Sequence, residues 1–323
     1  MQKQNKKCVV LAAKIIMLML LFVAIYVQLF SNTKANTISN AFNHKFELHQ
    51  LAYFFVSFIL IAFNFFCETK KWLSLTNVFY KLSFTKAYKA VLAGTTMAFF
   101  TPNRIGEYGG RVLFVPQKYL VETVAVTMVG GLAQQIITLL FGLVSLFFLK
   151  DALLTNTLFT ETQLSLITFI SLILFVVLLL LFFYIKYAIK VIPQVKWLKK
   201  HLSKLKLLQQ YSKVALLKVM LWAALKYLIF SMQFYFLILA FDIPFQINFV
   251  WLSMLSFLLQ TLIPSVSLFE LGIRGNVVLF TFGAFTHLKI EILAASVTLW
   301  IFNLLIPAII GAFYILKINF LNE

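Results

Sequence analysis

Apolar runs of about twenty residues recur along the chain between short polar intervals, and full membrane crossings fit 9–30, 48–67, 124–149, 164–185, 214–240 and 289–316. Two apolar stretches remain, 88–100 and 248–263, each too short to cross comfortably before it meets a proline and then charged residues. If each enters the membrane, breaks at the proline and returns, the hairpins span 88–118 and 248–286 and enter from opposite faces. The pattern predicts an all-α polytopic membrane protein of about six full spans plus two re-entrant or broken-helix hairpins related as an inverted repeat. The alternative is that all eight stretches cross as ordinary helices. Either version keeps the charged residues of the short stretches inside the protein.

A single integral membrane domain, 1–323, is expected, with one half over about 48–185, the other over about 214–316, and a basic loop at 186–213 between them. That polar interval is too short to bury a core of its own. The run from Val9 to Phe30 is long enough to span, and "FSNTKANT" after it lacks a small-residue cleavage site, so it reads as a retained anchor. Cys8 and Cys67 have no sequence-local partner and read as free thiols.

Composition agrees: hydrophobic residues are 62% of the chain, charged residues 12%, and mean hydropathy is +0.94. The formal charge of +18 would suggest nucleic acid in a soluble protein. Here the lysines collect at the N-terminus (Lys3, Lys6, Lys7), in "ETKKWLSLTNVFYKLSFTKAYK", which reads as a loop containing "KKWLSL", and in the 186–213 loop, all of which the positive-inside rule assigns to the cytoplasm with both termini. No nucleic-acid partner is expected.

Arginine usage is selective. Against twenty-five lysines the chain has three arginines, Arg104, Arg111 and Arg274, and all three fall in the two short segments. "GEYGGR" (106–111) and "FELGIRG" (269–275) both spell Glu-x-Gly-x-Arg, so Glu107 with Arg111 and Glu270 with Arg274 stand one helical turn apart. A charge near the bilayer centre costs roughly 2.5–3.5 kcal/mol on insertion scales, so such residues need partners or a purpose. One reading is structural: the pairs neutralise each other and finish two buried helix starts, with Ser267 and Glu270 as a capping box and Thr101 capping before Pro102.

The functional reading is an anion site. Half-helices begun after Pro102 and Pro264 would aim free amides at mid-membrane. Arg104, Arg111 and Arg274 would grip a lipid phosphate, and Gly106, Gly109, Gly110, Gly272 and Gly275 would allow close approach. Glu107 and Glu270 would hold the arginines in the empty site, and a glutamate released by the lipid could take up a proton. Lys226 and Asn303, near span centres, are candidate cavity residues. No metal or other cofactor is expected: His44, His49, His201 and His287 lack metal-ligand spacing, and Asp151 and Asp242 have no Ser-His partner.

"TPNRIGEYGGR", the preceding "KKWLSL" and the later Pro…Glu-x-Gly segment resemble the membrane region of bacterial lysylphosphatidylglycerol synthases, a region that also occurs alone in flippase-like proteins. The resemblance covers nearly the whole chain. By position, Arg104, Gly106, Glu107 and Arg111 match the first motif, and Glu270, Gly272 and Arg274 lie at the second, where relatives often carry a Gly-Gly stretch in place of "SVSLFE". In that family the region joined to a soluble aminoacyl transferase makes an aminoacylated lipid and moves it across the membrane. Without that domain the resemblance implies translocation of an anionic or aminoacylated phospholipid, or of a polyprenyl-phosphate lipid, in a bacterial-type plasma membrane, and no enzymatic activity. Two other classes stay open: a membrane component of a glycolipid or polyprenyl-phosphate-sugar pathway, and a scaffold whose basic loop recruits a separate lipid-modifying enzyme.

Overall fold

Described in the computed structural model are residues 46–101, 104–187, 202–263 and 267–318, excluding the side chains of 202, 203 and 267–270. Every regular element among them is helical. Besides the short helical turns Gln117–Tyr119, Leu202–Leu205, Lys206–Gln210 and Ile301–Leu305, they are in chain order α1 (Leu48–Thr76), α2 (Phe84–Phe99), α3 (Gly106–Val112), α4 (Leu120–Thr155), α5 (Glu161–Phe183), α6 (Lys213–Ala240), α7 (Ile247–Leu262), α8 (Ser267–Phe282), α9 (Lys289–Trp300) and α10 (Ile306–Leu316). Among the described residues five segments are long and apolar enough to cross a membrane: α1, Gln117–Thr155, α5, α6 and the α9–α10 unit. The sixth expected crossing, 9–30, lies outside the described residues.

Polar caps start several helices. Ser83 accepts from the Lys86 amide at 3.3 Å and Ser212 from the Ala215 amide at 3.1 Å, while Thr160 and Gln163 form a reciprocal box at the head of α5. Between α9 and α10 the chain makes a π-turn, Ile301–Leu305, just before Pro307. Proline has no amide hydrogen to give the preceding turn, and the wider turn accommodates that loss without ending the helix.

α1 and α6 form the central antiparallel pair. Gln50, Ser57, Asn64 and Lys71 stand seven residues apart on α1 and are all buried, so one polar stripe runs down the helix. Gln233 of α6 answers it, donating to the Ser57 carbonyl at 3.0 Å, while the Ser57 hydroxyl donates to the Gln233 carbonyl at 3.3 Å. Where apolar surface surrounds a helix pair, such interhelical hydrogen bonds and close van der Waals packing hold it together.

Two further antiparallel crossings flank this pair, each tightened by a glycine. In α10 a Cβ at Gly311 would lie 2.1 Å from the Leu92 carbonyl oxygen of α2, and nearby the Thr96 hydroxyl donates to the Ala308 carbonyl at 2.7 Å. In α4 a Cβ at Gly142 would lie 2.7 Å from Leu258 of α7, and further along the Phe148 and Trp251 rings stack at 4.5 Å. α2 folds back into α3, and α7 into α8, where Phe249 and Phe282 meet at 5.5 Å at the open end. The inner ends of the two hairpins converge: Phe99 of α2 and Leu271 of α8 share one apolar cluster with Val297, Trp300, Leu304, Leu305 and Ala308.

Two expectations change. α1 does not stop at 67 but continues to Thr76, so Glu68, Lys70 and Lys71 are helical and "KKWLSL" is not a loop. Thr69, Ser74 and Thr76 return their hydroxyls to carbonyls one turn back, so nothing forces a break. The basic loop is also partly folded: Leu207, Leu208 and Tyr211 are buried, and the Tyr211 hydroxyl donates to the Leu75 carbonyl. Burial raises the Tyr211 phenol above its ordinary pKa.

Lysines with aromatic partners gather at one end of the bundle. Lys70 lies over Phe66 and Phe84, Lys86 over Tyr80, Lys89 over Tyr314, Lys118 over Tyr119 and Lys213 over Tyr184, at 4.9–6.0 Å. Glu47, Asp151, Glu161, Asp242 and Glu291 mark the opposite end.

Substituting Gly311→Ala is expected to lower the thermal midpoint in detergent by roughly 3–10 °C, because the added methyl meets backbone that cannot yield. Gly131→Ala, whose Cβ would meet nothing within 4 Å, should leave the midpoint unchanged. Fluorescence-detected size-exclusion chromatography after heating reads both.

Candidate functional site

Glu68 is the centre of the site. Its carboxylate is buried on the α1 face that meets α6 and α3, and three cations reach it. Lys71, one turn along α1, and Lys226, from the midpoint of α6, both donate to Oε2 at 2.7 Å. Arg111 of α3 donates to Oε1 at 2.7 Å through Nη2 and also bonds Glu107 Oε1. Arg104 closes the series with its Nε 3.9 Å from Glu107 Oε2. α1, the α2–α3 hairpin and α6 are thus joined by one continuous ionic network.

Tight packing brings these charges together. A Cβ at Gly106 would fall 2.1 Å from the Met97 carbonyl oxygen, and one at Gly110 would fall 2.3 Å from that of Ala93, so α3 lies directly on the α2 backbone. Gly94 on α2 leaves room for Arg111, whose Cγ would be 3.1 Å from a Cβ there. On its other side the guanidinium faces the Trp72 ring at 5.5 Å, and the Trp72 indole donates to Thr127 Oγ1 at 3.1 Å. Planar, permanently charged and stackable, the guanidinium suits a slot between an aromatic face and two carboxylates better than an ammonium would.

Burial grades across the network. Lys71 and Arg111 side chains are 3% and 2% exposed and that of Glu68 is 7%, whereas Glu107 and Lys226 are each 26% exposed and Arg104 is 43% exposed. The sealed end therefore carries Lys71, Glu68 and Arg111. The accessible end carries Lys226, Glu107 and Arg104. Among the described residues two carboxylates face four cations, a formal excess of positive charge. Deep in the slot, Arg111 Nε has no hydrogen-bond partner among the described residues.

Of the residues expected from sequence, Arg104, Glu107, Arg111 and Lys226 come together here, and Gly106 makes its close approach. Gly109 and Gly272 do not, because a Cβ at either would meet nothing within 4 Å. On α3 the close-packing role belongs to Gly110, one residue along. α3, Gly106–Val112, has only seven residues, with Glu107 in its first turn, so its amide end offers no anion site. The expected helix start at Pro102 lies outside the described residues, and Thr101 accepts the Gly106 amide at 2.6 Å. Arg104 precedes the helix in left-handed backbone, φ 59°, where the chain turns from α2 into α3.

Arg274 is half-buried and partnered on α8, three residues beyond Leu271, and takes no part in the ion pairs of the network. Pro102, Pro264 and the side chains of Ser267 and Glu270 lie outside the described residues, although α8 does begin at Ser267. Asn303 occupies the π-turn, donates to the Leu299 carbonyl at 3.2 Å and buries an Oδ1 without a partner among the described residues. No group of three potential metal ligands occurs among the described residues.

Sequence reading missed Glu68 and Lys71, which looked like the start of a basic loop. Their signal was the seven-residue polar stripe on α1, which extends beyond the expected end of the span.

No protein-family model matches the chain, and no curated protein matches it.

Amine footprinting of the intact protein with an acetylating reagent should separate two adjacent lysines. Lys70, at the aromatic-rich surface, is expected to be modified at least about tenfold more than Lys71, which is buried on Glu68. Equal modification, read by peptide mass spectrometry, would return the segment to a loop.

Proposed function

We propose that the protein translocates a lipid, carrying its phosphate-bearing headgroup through the polar interior while the tails stay in the apolar phase. The observation that carries this reading is the excess of positive charge held between α1, α3 and α6, with Lys226 and Arg104 at its accessible end. Several buried charges are expensive in an apolar surround, and a surplus of one sign asks for a mobile counter-ion. A phosphate supplies it, and arginine and lysine are the side chains suited to grip it.

The hairpins support a transport architecture. α7 and α8 have sixteen residues each, about 24 Å of helix against a hydrocarbon core of about 30 Å, and their outer ends return to each other at Phe249 and Phe282. We read α2–α3 and α7–α8 as re-entrant hairpins whose inner ends meet around Leu271 and Phe99. Exchanging α1 with α6, α2 with α7, α3 with α8 and α4 with the α9–α10 unit reproduces several of the principal helix contacts, although α5 has no counterpart: α2 crosses α10 as α7 crosses α4, each against a glycine. That correspondence favours an inverted repeat, the arrangement in which two halves rock about a central site. The lysine-rich end, with its aromatic partners, faces the cytoplasm on this reading.

An acid–base enzyme of glycolipid chemistry is less favoured, because both carboxylates of the network are held by cations rather than free to move protons.

Arg111→Lys tests the proposal. A lysine keeps the charge but cannot bridge Glu68 and Glu107 while stacking on Trp72, so transbilayer movement of fluorescent phosphatidylglycerol in proteoliposomes should fall at least about tenfold, with normal insertion. Wild-type rates in that variant would remove the proposal's main support.

A further inference from the structure

The network is graded as well as buried, and its grading distinguishes cations that stay from cations that can leave. Lys71 is sealed against Glu68 from the same helix, at i, i+3, and Arg111 is clamped between two carboxylates, Trp72 and the α2 backbone. Lys226 is different: it comes from another helix, is a quarter exposed and holds Glu68 through one contact of 2.7 Å. Arg104 is still more open, and its contact with Glu107 is 3.9 Å.

From this we propose that Lys226 is handed from Glu68 to the phosphate group of the bound lipid, with Lys71 as the fixed counter-ion that makes the hand-over possible. The inference rests on the lipid-anion reading above and assigns roles within that site. An arriving phosphate competes with Glu68 Oε2 for the Lys226 ammonium and with Glu107 for Arg104. When Lys226 turns to the phosphate, Glu68 keeps Lys71 on the same oxygen and Arg111 on the other. It is never left as a bare carboxylate in an apolar surround, so the exchange needs no proton to neutralise it. Arg111, deeper in the slot, stays on Glu68 and Glu107 throughout. No covalent bond is made or broken; one ammonium changes its anionic partner.

Glu68 is then a competitor of the ligand as well as a structural centre. Removing its charge should tighten anion binding, whereas removing a purely structural carboxylate would weaken it or leave it unchanged. This opposite sign is the useful readout.

The experiment is a binding titration of the purified full-length protein in detergent, following intrinsic tryptophan fluorescence. The probes are dioctanoyl phosphatidic acid, dioctanoyl phosphatidylcholine and inorganic phosphate, and the variants are Lys226→Gln, Glu68→Gln and the charge-balanced double variant Glu68→Gln/Lys71→Met. Wild type should bind phosphatidic acid in preference to the zwitterionic lipid. Lys226→Gln should weaken that binding roughly tenfold, and Glu68→Gln should strengthen it several-fold. Should Glu68→Gln not fold, the double variant carries the same expectation, since Lys226 is released there too.

Inorganic phosphate should displace the lipid, identifying the phosphate itself as the recognised group. Failure of phosphate to compete would move recognition to the tails and overturn the proposal. Wild-type affinity in Lys226→Gln, or no tightening in whichever Glu68 variant folds, would overturn the hand-over while leaving lipid binding intact. A wild-type protein that binds no anionic lipid at all would instead remove the transport reading beneath it.

Discussion

One carboxylate fixes the interior of this protein. Glu68 collects Lys71, Lys226 and Arg111, and in doing so connects α1 to α6 and to the α2–α3 hairpin. Taken singly, none of these charges would be tolerable between apolar helices; together they are mutually solvated. Each contact supports the others, so the network sets the register in which the three helices meet while no single cation carries the whole neutralisation of Glu68. The polar stripe above Glu68 extends the same logic with neutral groups, where Asn64 and Ser57 meet Gln233.

Close packing is the condition for that ionic centre. Arg111 reaches Glu68 only because Gly106 and Gly110 let α3 lie against the α2 carbonyls, and because Gly94 leaves space for its side chain. α2 is in turn pressed onto α10 at Gly311. The long α9–α10 unit, with its π-turn and Pro307, runs past the inner end of α2 and contributes Trp300, Leu304, Leu305 and Ala308 to the cluster that also receives Leu271. Charge placement therefore depends on glycine spacing, and glycine spacing on a helix whose own hydrogen-bond ladder is adjusted to pass a proline.

Much of this was legible in the sequence because the signals were local. Apolar length marked α4, α5, α6 and the α9–α10 unit to within a few residues, and proline followed by charge marked both hairpins. The i, i+4 spacing of Glu107 and Arg111 announced their pairing. What sequence could not supply was the partner from elsewhere. Glu68 and Lys71 looked like water-facing residues because a short run of charge after an apolar segment usually is a loop; the partners that make burial acceptable include Arg111 from the α2–α3 hairpin and Lys226, more than 150 residues away. The approach of α3 to α2 was equally hidden, because the contact of Gly106 with Met97 and the left-handed backbone at Arg104 depend on residues that meet only in the fold.

Proposed equivalence of the two halves gives the charges a further meaning. α1 and α6 would be corresponding helices, crossing as an antiparallel pair, yet at their meeting point one presents a carboxylate and the other an ammonium. A symmetric pair of like charges there would repel, and a symmetric pair of neutral groups, such as the Ser57 and Gln233 contacts nearer the other end, would hold the helices without attracting an ion. Opposite charges do both: they bind the helices and leave each side with a group that a third ion can claim. Because the first half adds Lys71 and Arg111 around the carboxylate, the member free to exchange is the ammonium of the second half. Relative motion of α6 against α1 would then change the partner of Lys226 directly. On the proposed transport reading, the site and the moving interface would be the same contact, as a carrier needs if binding is to bias one arrangement of its halves over another.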